Sequence, residues 1–124
     1  MADEVASPIL VVEDDPSIQQ TIQWALEDAG FMVQLARDGV EGLDRARQEC
    51  PGLVVLDMGL PRLNGDGFAA GLRGMFDRDV PILLITADGR AADKARRVGA
   101  FDFMQKPFDV DDLVAIVRRG LGSA

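Results

Sequence analysis

The chain has 124 residues, 48% hydrophobic and 27% charged, with a net charge of -8. That composition fits one domain with a closed core and excludes a disordered chain. The acidic balance excludes nonspecific attraction to nucleic acid or anionic lipid, and the single cysteine, Cys50, excludes an internal disulfide.

Five strand-then-helix units are predicted in chain order. The first strand covers Pro8–Glu13, and its helix opens at Pro16, suited to the first helical position, behind an aspartate able to cap it. The inner stripe of this helix reads Ile18, Ile22, Ala25 and Ala29, closed by Gly30. Trp24 falls about 120° from that stripe at a 100° step per residue, so it is expected on the surface, as a partner anchor or packed at a helix edge. The second strand, Phe31–Ala36, alternates Phe31, Val33 and Leu35 against Met32 and Gln34, as a half-exposed edge does. Its helix runs from about Val40 to Glu49, capped by Asp38, with Pro51 beyond.

The third strand, Gly52–Asp57, is different. The run Leu53–Leu56 reads as buried on both faces and ends in a single carboxylate, which is costly to bury without a partner. Asp57 is therefore expected at a cleft that offers a cation. A glycine-rich helix follows Asn64–Gly65 and reaches Gly74. The fourth strand covers Val80–Thr86, and its helix, Arg90 to Val98, carries Ala91, Ala95 and Val98 inward. Arg90, Lys94, Arg96 and Arg97 are read as its solvated face. The fifth strand, Phe101–Gln105, leads into Lys106–Pro107. The last helix follows Asp109 with Val110, Leu113, Val114, Val117 and Leu121 on one face and Ile116 off it. The acidic start "MADEVASP" gives no secretory signal, and no apolar run nears the roughly 20 residues that span a bilayer. A cytoplasmic protein without a membrane partner is the expectation.

Alternating strands and helices imply an α/β fold, doubly wound, with a parallel sheet covered on both faces. Ligands of such sheets bind at the carboxyl ends of the strands. Those ends carry Glu13, Asp14 and Asp15, then Asp57, then Thr86, then Lys106. Carboxylates converging on one rim repel, and oxygen donors without histidine suit Mg²⁺ or Mn²⁺. With a cation and a lysine holding oxyanions, Asp57 can attack phosphorus and form an acyl phosphate, with Thr86 donating to the phosphoryl group.

The stretches "ILVVEDDP", "LVVLDMGLP", "PILLITA" and "FDFMQKPF", in that order and spacing, closely resemble bacterial response-regulator receiver domains, from Pro8 to about Leu121. The resemblance implies a flavodoxin-like (βα)5 sheet of order 2-1-3-4-5. It implies a receiver at residues 8–121, an N-terminal extension at 1–7 and a tail at 122–124. By resemblance Asp57 is the phosphoacceptor, and Glu13 and Asp14 are the acidic pair, Asp14 being the direct metal ligand. Gly59 would offer its backbone carbonyl to the metal, and Thr86 and Lys106 would contact the phosphoryl group. Lys106–Pro107 would be a cis peptide, and Phe103 the aromatic that switches with Thr86.

The implied donor is a sensor histidine kinase or a histidine phosphotransfer protein. The output is a downstream effector or a fused domain, with no direct nucleic-acid binding by this chain and a phosphorylation-dependent homodimer among its states. A stand-alone receiver is expected, catalysing its own phosphoryl transfer and dephosphorylation without being a conventional turnover enzyme. Two rivals are a degenerate receiver that only binds partners and a metal-dependent phosphatase using Asp57. The phosphatase would need a second aspartate where Gly59 stands. Phe101, Gly59 and Asp88 depart from the commonest family pattern, and they bear on the lifetime of the phosphorylated state.

Overall fold

The computed structural model describes residues 7–59, 64–87 and 89–122. The strands are β1 (Ile9–Val12), β2 (Val33–Ala36), β3 (Leu53–Asp57), β4 (Ile82–Thr86) and β5 (Asp102–Gln105). The helices are α1 (Pro16–Asp28), α2 (Gly39–Gln48), α3 (Gly65–Arg73), α4 (Ala91–Val98) and α5 (Val110–Gly120). The strands form one parallel sheet in the order β2-β1-β3-β4-β5, as expected. Asp88 lies outside the described residues, as do 1–6 of the expected extension and 123–124 of the expected tail.

The continuous apolar runs follow from cover on both faces. Leu10, Val12, Val54, Leu56, Ile82 and Leu84 point into one core, shared with Ala46, Phe68, Leu72, Ala95 and Val98 of α2, α3 and α4. Ile9, Val11, Leu53, Val55, Leu83 and Ile85 point into the other, shared with Ile22, Leu26, Leu113 and Val117 of α1 and α5. Successive strand residues face opposite ways, so both sets must be apolar. Glycine lets α2 approach α3 closely, since a Cβ at Gly42 would lie 2.8 Å from the fully buried Phe68 ring.

Every strand is shorter than the sequence pattern suggested. Pro8 has no N–H to give and its carbonyl takes the Gly52 N–H (2.9 Å), while the Glu13 N–H reaches the Ala36 carbonyl (3.0 Å) and the Glu13 carbonyl turns to a side chain of α1. Phe31 donates back to Leu26 (3.0 Å) and so belongs to the end of α1 instead of β2. The α1 stripe also needs correction. Ile22 and Leu26 are its fully buried residues, whereas Ile18, Ala25 and Ala29 are half-buried. Leu26 stands one helical turn beyond Ile22 and reaches the sheet. Ala29 lies by α5, whose Arg118 donates to the Ala29 carbonyl (3.3 Å). Trp24 is exposed at 62%, as its position on the wheel required.

Asp15, Asp38, Asn64 and Asp109 cap their helices through side-chain oxygens. α4 has no such cap: Arg90 occupies the position and makes no capping hydrogen bond through its side chain. Its inner face is Ala91, Ala95 and Val98, all buried. Its outer face is less purely solvated than the sequence implied. Arg97 pairs with Asp66 of α3 at 3.0 Å, and Arg73 of α3 donates to the Gly99 carbonyl just past α4, also at 3.0 Å.

Candidate functional site

The carboxyl ends of β1, β3, β4 and β5 deliver the predicted residues to one rim. Carboxylate oxygens of Glu13, Asp14 and Asp57 lie within 4.8 Å of one another. Glu13 is fully buried, Asp57 buried and Asp14 exposed. Asp15 does not join them. Its carboxylate turns to the helix and accepts from Ser17 N (2.8 Å) and Ile18 N (3.2 Å). This is the cap expected ahead of Pro16, and it leaves Glu13, Asp14 and Asp57 as the acids that converge.

Lys106 joins the two buried acids. Its Nζ is 3.0 Å from Glu13 Oε1 and 3.5 Å from Asp57 Oδ2. Glu13 Oε2 accepts from the Asp15 backbone N–H (3.1 Å), and Asp57 Oδ1 accepts from Gly59 N–H (3.2 Å). Lys106 stands at ion-pair distance from Glu13 Oε1, but no well-angled hydrogen bond satisfies that oxygen. With Gln34 Oε1, it is one of the buried side-chain atoms left without a hydrogen bond among the described residues. Lys106 N–H donates to the Thr86 carbonyl (2.9 Å), which joins the ends of β5 and β4, and Thr86 is buried at the end of its strand. The Lys106–Pro107 peptide is cis, as expected.

These contacts set the electrostatics. Burial pushes the Glu13 carboxyl from 4.5 up to about 7, opposed by the Asp15 N–H and by Lys106, and assisted by the charge of Asp57. For Lys106 the largest effect is burial, which disfavours its charge. The close contact with Glu13 and the charge of Asp57 together outweigh it and hold the ammonium above its ordinary value. A buried acid beside two further carboxylates, with no nitrogen or sulfur donor in the group, suits a hard divalent cation. The donor set therefore fits Mg²⁺.

Around this centre the other predicted residues are placed as follows. Gly59 is exposed, and a Cβ there would meet nothing within 4 Å, so nearby packing does not require the glycine. Phe103 points outward from the edge strand β5, 39% exposed, so any inward switch position is not the one seen here. Ile116 is half-buried against the α5-side core, which leaves less free apolar area beside Ala115 than the wheel suggested. The sequence reading overlooked Gln19. Its Nε2 donates to the carbonyls of Glu13 and Ala36, both at 3.1 Å. A glutamine four residues past the cap, with two strand ends converging nearby, was the available signal.

Comparisons with known proteins agree on one family. The sequence model of the response regulator receiver domain matches residues 9–118. The chain is 42% identical over 115 residues to the DNA-binding dual master transcriptional regulator RpaA of Synechocystis, covering 89% of this chain and 47% of that protein. It is 39% identical over 112 residues to the response regulator MprA of Mycobacterium tuberculosis, covering 89% and 48%. The chain therefore spans about half the length of the curated relatives it matches. Among solved structures, it is similar to the receiver domain of the Pseudomonas aeruginosa sensor histidine kinase PA1611, which holds a magnesium ion in its active-site cleft. That match has a TM-score of 0.86 and 31% identity, over 96% of this chain and 100% of the other. Vibrio cholerae chemotaxis protein CheY4 matches with a TM-score of 0.83 and 29% identity, over 93% and 98%. Among the described residues, no helix is long and apolar enough to cross a membrane.

Proposed function

The chain belongs to the response-regulator receiver family, and from that premise we propose that Asp57 accepts a phosphoryl group from a phosphohistidine and so switches a signalling surface. The observation that carries this reading is the lysine bridge: Lys106 Nζ lies 3.0 Å from Glu13 and 3.5 Å from Asp57 on the sheet's carboxyl rim. One Asp57 carboxylate oxygen attacks phosphorus. The new P–O bond forms as the P–N bond to the donor imidazole breaks, and the imidazole keeps the electron pair. Lys106 balances charge on the transferring oxygens, and Thr86 donates to the phosphoryl group once it is attached. Glu13, Asp14, Asp57 and the Gly59 carbonyl would hold Mg²⁺, which when bound supplies charge neutralisation to the phosphoryl oxygens. The protein catalyses its own modification and is not a conventional turnover enzyme. The donor is a histidine kinase or phosphotransfer protein, and the output belongs to an effector or a fused domain.

The added charge at Asp57 draws Thr86 toward it. That movement opens space beside α4, and Phe103 turns in to fill it. The surface formed by α4, β5 and α5 then changes for a partner. Gly59 leaves no general acid at the position a phosphatase of this type uses, which disfavours that rival. Incubation with acetyl phosphate and Mg²⁺ should add one phosphoryl group, labile to hydroxylamine, and Asp57→Asn should abolish it. Labelling that survives in Asp57→Asn overturns the assignment. An unlabelled native chain favours the pure binding module instead.

A further inference from the structure

β1 and β2 end side by side at the rim, and each presents a carbonyl there: Glu13 just past β1, and Ala36 at the end of β2. Gln19 belongs to the first turns of α1, where side chains lean back toward the helix start and so over this rim. Its Nε2 donates one hydrogen to the Glu13 carbonyl and the other to the Ala36 carbonyl, each at 3.1 Å. A primary amide is the neutral side-chain group that carries two hydrogens on one nitrogen, whereas a carboxylate would repel both carbonyls. The Ala36 carbonyl also takes the Glu13 N–H (3.0 Å), so Glu13 is tied to β2 on both sides of its own Cα.

The next residues continue the same brace. Asp15 N–H donates to Glu13 Oε2 (3.1 Å), Asp15 Oδ1 caps α1, and Gln19 N–H donates to the Asp15 carbonyl (2.9 Å). Asp14 sits between these fixed points, and no hydrogen bond or ion pair holds its carboxylate among the described residues. What the fold fixes for Asp14 is the direction of its Cα–Cβ bond, and Gln19 braces the backbone next to it through the Glu13 carbonyl.

We infer that Gln19 is a positioning residue for the cation site: by clamping the Glu13 and Ala36 carbonyls it aims the Glu13 and Asp14 carboxylates at one point before the cation arrives. The inference rests on the proposed reading of this rim as a Mg²⁺-dependent phosphoacceptor site. Gln19 touches no reacting atom, so its effect belongs to cation affinity and not to the chemical step.

The test is a magnesium chloride titration of the full chain, followed through the backbone amide shifts of residues 13–15 and 57. Gln19→Met keeps the length and helix preference and removes both hydrogens. It should weaken Mg²⁺ binding about tenfold, the scale of outer-shell partners of metal ligands. Its labelling rate with acetyl phosphate should return to the native value once Mg²⁺ saturates. Gln19→Ala should show the same split. Gln23→Leu, one turn further on and bonded to Glu27 (3.2 Å), should match the native titration. A Gln19→Met chain that melts earlier yet binds Mg²⁺ like the native one would make Gln19 a brace of the sheet end only and overturn the inference. A native chain that binds no Mg²⁺ removes the proposed function first, and this inference with it.

Discussion

α4 and α5 flank the same edge of the sheet from opposite faces, yet they are held in different ways. α5 is capped by Asp109, carries Asp111 and Asp112 in its first turn and Arg118 and Arg119 in its last, and buries Leu113 and Val117 completely. Its end is also close-fitting, since a Cβ at Gly120 would collide with the Phe101 ring and lie 2.6 Å from Leu53. α4 is uncapped by any side chain and buries Ala91, Ala95 and Val98. A buried Leu or Val contributes about 1.5–3 kcal/mol, while an alanine has only one methyl to bury. The polar ties of α4 to α3 are peripheral: the Arg97–Asp66 pair and the Arg73 bond to the Gly99 carbonyl. The helix that follows Thr86 in the chain is thus the lightly anchored one. Repacking near the site is cheapest there, and low local stability is where switching segments are drawn from.

The comparison is most exposed to a pair of substitutions. Leu113→Ala in α5 should destabilise the fold by about 3 kcal/mol through lost burial and a residual cavity. Ala95→Gly in α4 should cost about 1 kcal/mol, chiefly through backbone entropy. Urea denaturation of both gives the ratio, and equal losses would break the contrast.

A somewhat smaller effect separates anchoring from charge at the rim. Glu13 is raised from 4.5 to about 7 in the folded protein. An acid raised in this way binds its proton more tightly when folded, so its contribution is complete below about pH 4.5. That contribution is lost as the pH rises through 7. Without Mg²⁺ the chain should lose on the order of 3 kcal/mol between pH 5 and pH 8. Millimolar Mg²⁺ should flatten that slope by favouring the ionised carboxylate, and Glu13→Gln should remove it. Leu113→Ala should keep the native slope. A slope altered by Ala95→Gly would mean that α4 and Glu13 are already coupled in the resting state, which sharpens the contrast between the helices.

The subtlest readout is amide exchange with and without beryllofluoride, a phosphoryl mimic. Protection should change across residues 86–106, more in α4 than in the buried turns of α5, and Thr86→Ala should mute the change. Changes confined to the immediate surroundings of Asp57 would leave no role for the weaker anchoring of α4.

Much of this was legible in the sequence because parallel sheets write themselves as strand-long apolar runs. Leu53–Leu56 and Ile82–Ile85 needed no structure to be read as central strands, and the residue that ended each apolar run pointed to the rim. The acids and Lys106 could be placed at one edge on that ground. Their pairing could not, because pattern says where a chain goes and not which donors meet. The capping role of Asp15 was legible from Pro16 behind it, whereas the bridge from Lys106 to Glu13 and Asp57 was not. The position of Gln19 past the cap was only a faint signal, because its partners are backbone carbonyls, one of them 17 residues away along the chain. Leu26 was passed over because the stripe was continued through Ala25 and Ala29, and only the neighbouring α5 explains why those alanines sit aside. Phe103 depends on which side of an edge strand faces solvent, a matter of tertiary cover.

The Lys106–Glu13 contact has one further consequence, for which ions the rim admits. The buried carboxylate already holds a resident ammonium at 3.0 Å. A sodium or potassium ion brings no more charge than that lysine and must also shed its water, so it has no electrostatic advantage over the resident ammonium at Glu13. A divalent ion doubles the attraction to the same oxygens and also engages Asp14, which the lysine leaves alone. The tethered ammonium is a competitor that every entering cation meets, and the advantage over it grows with the charge of the ion.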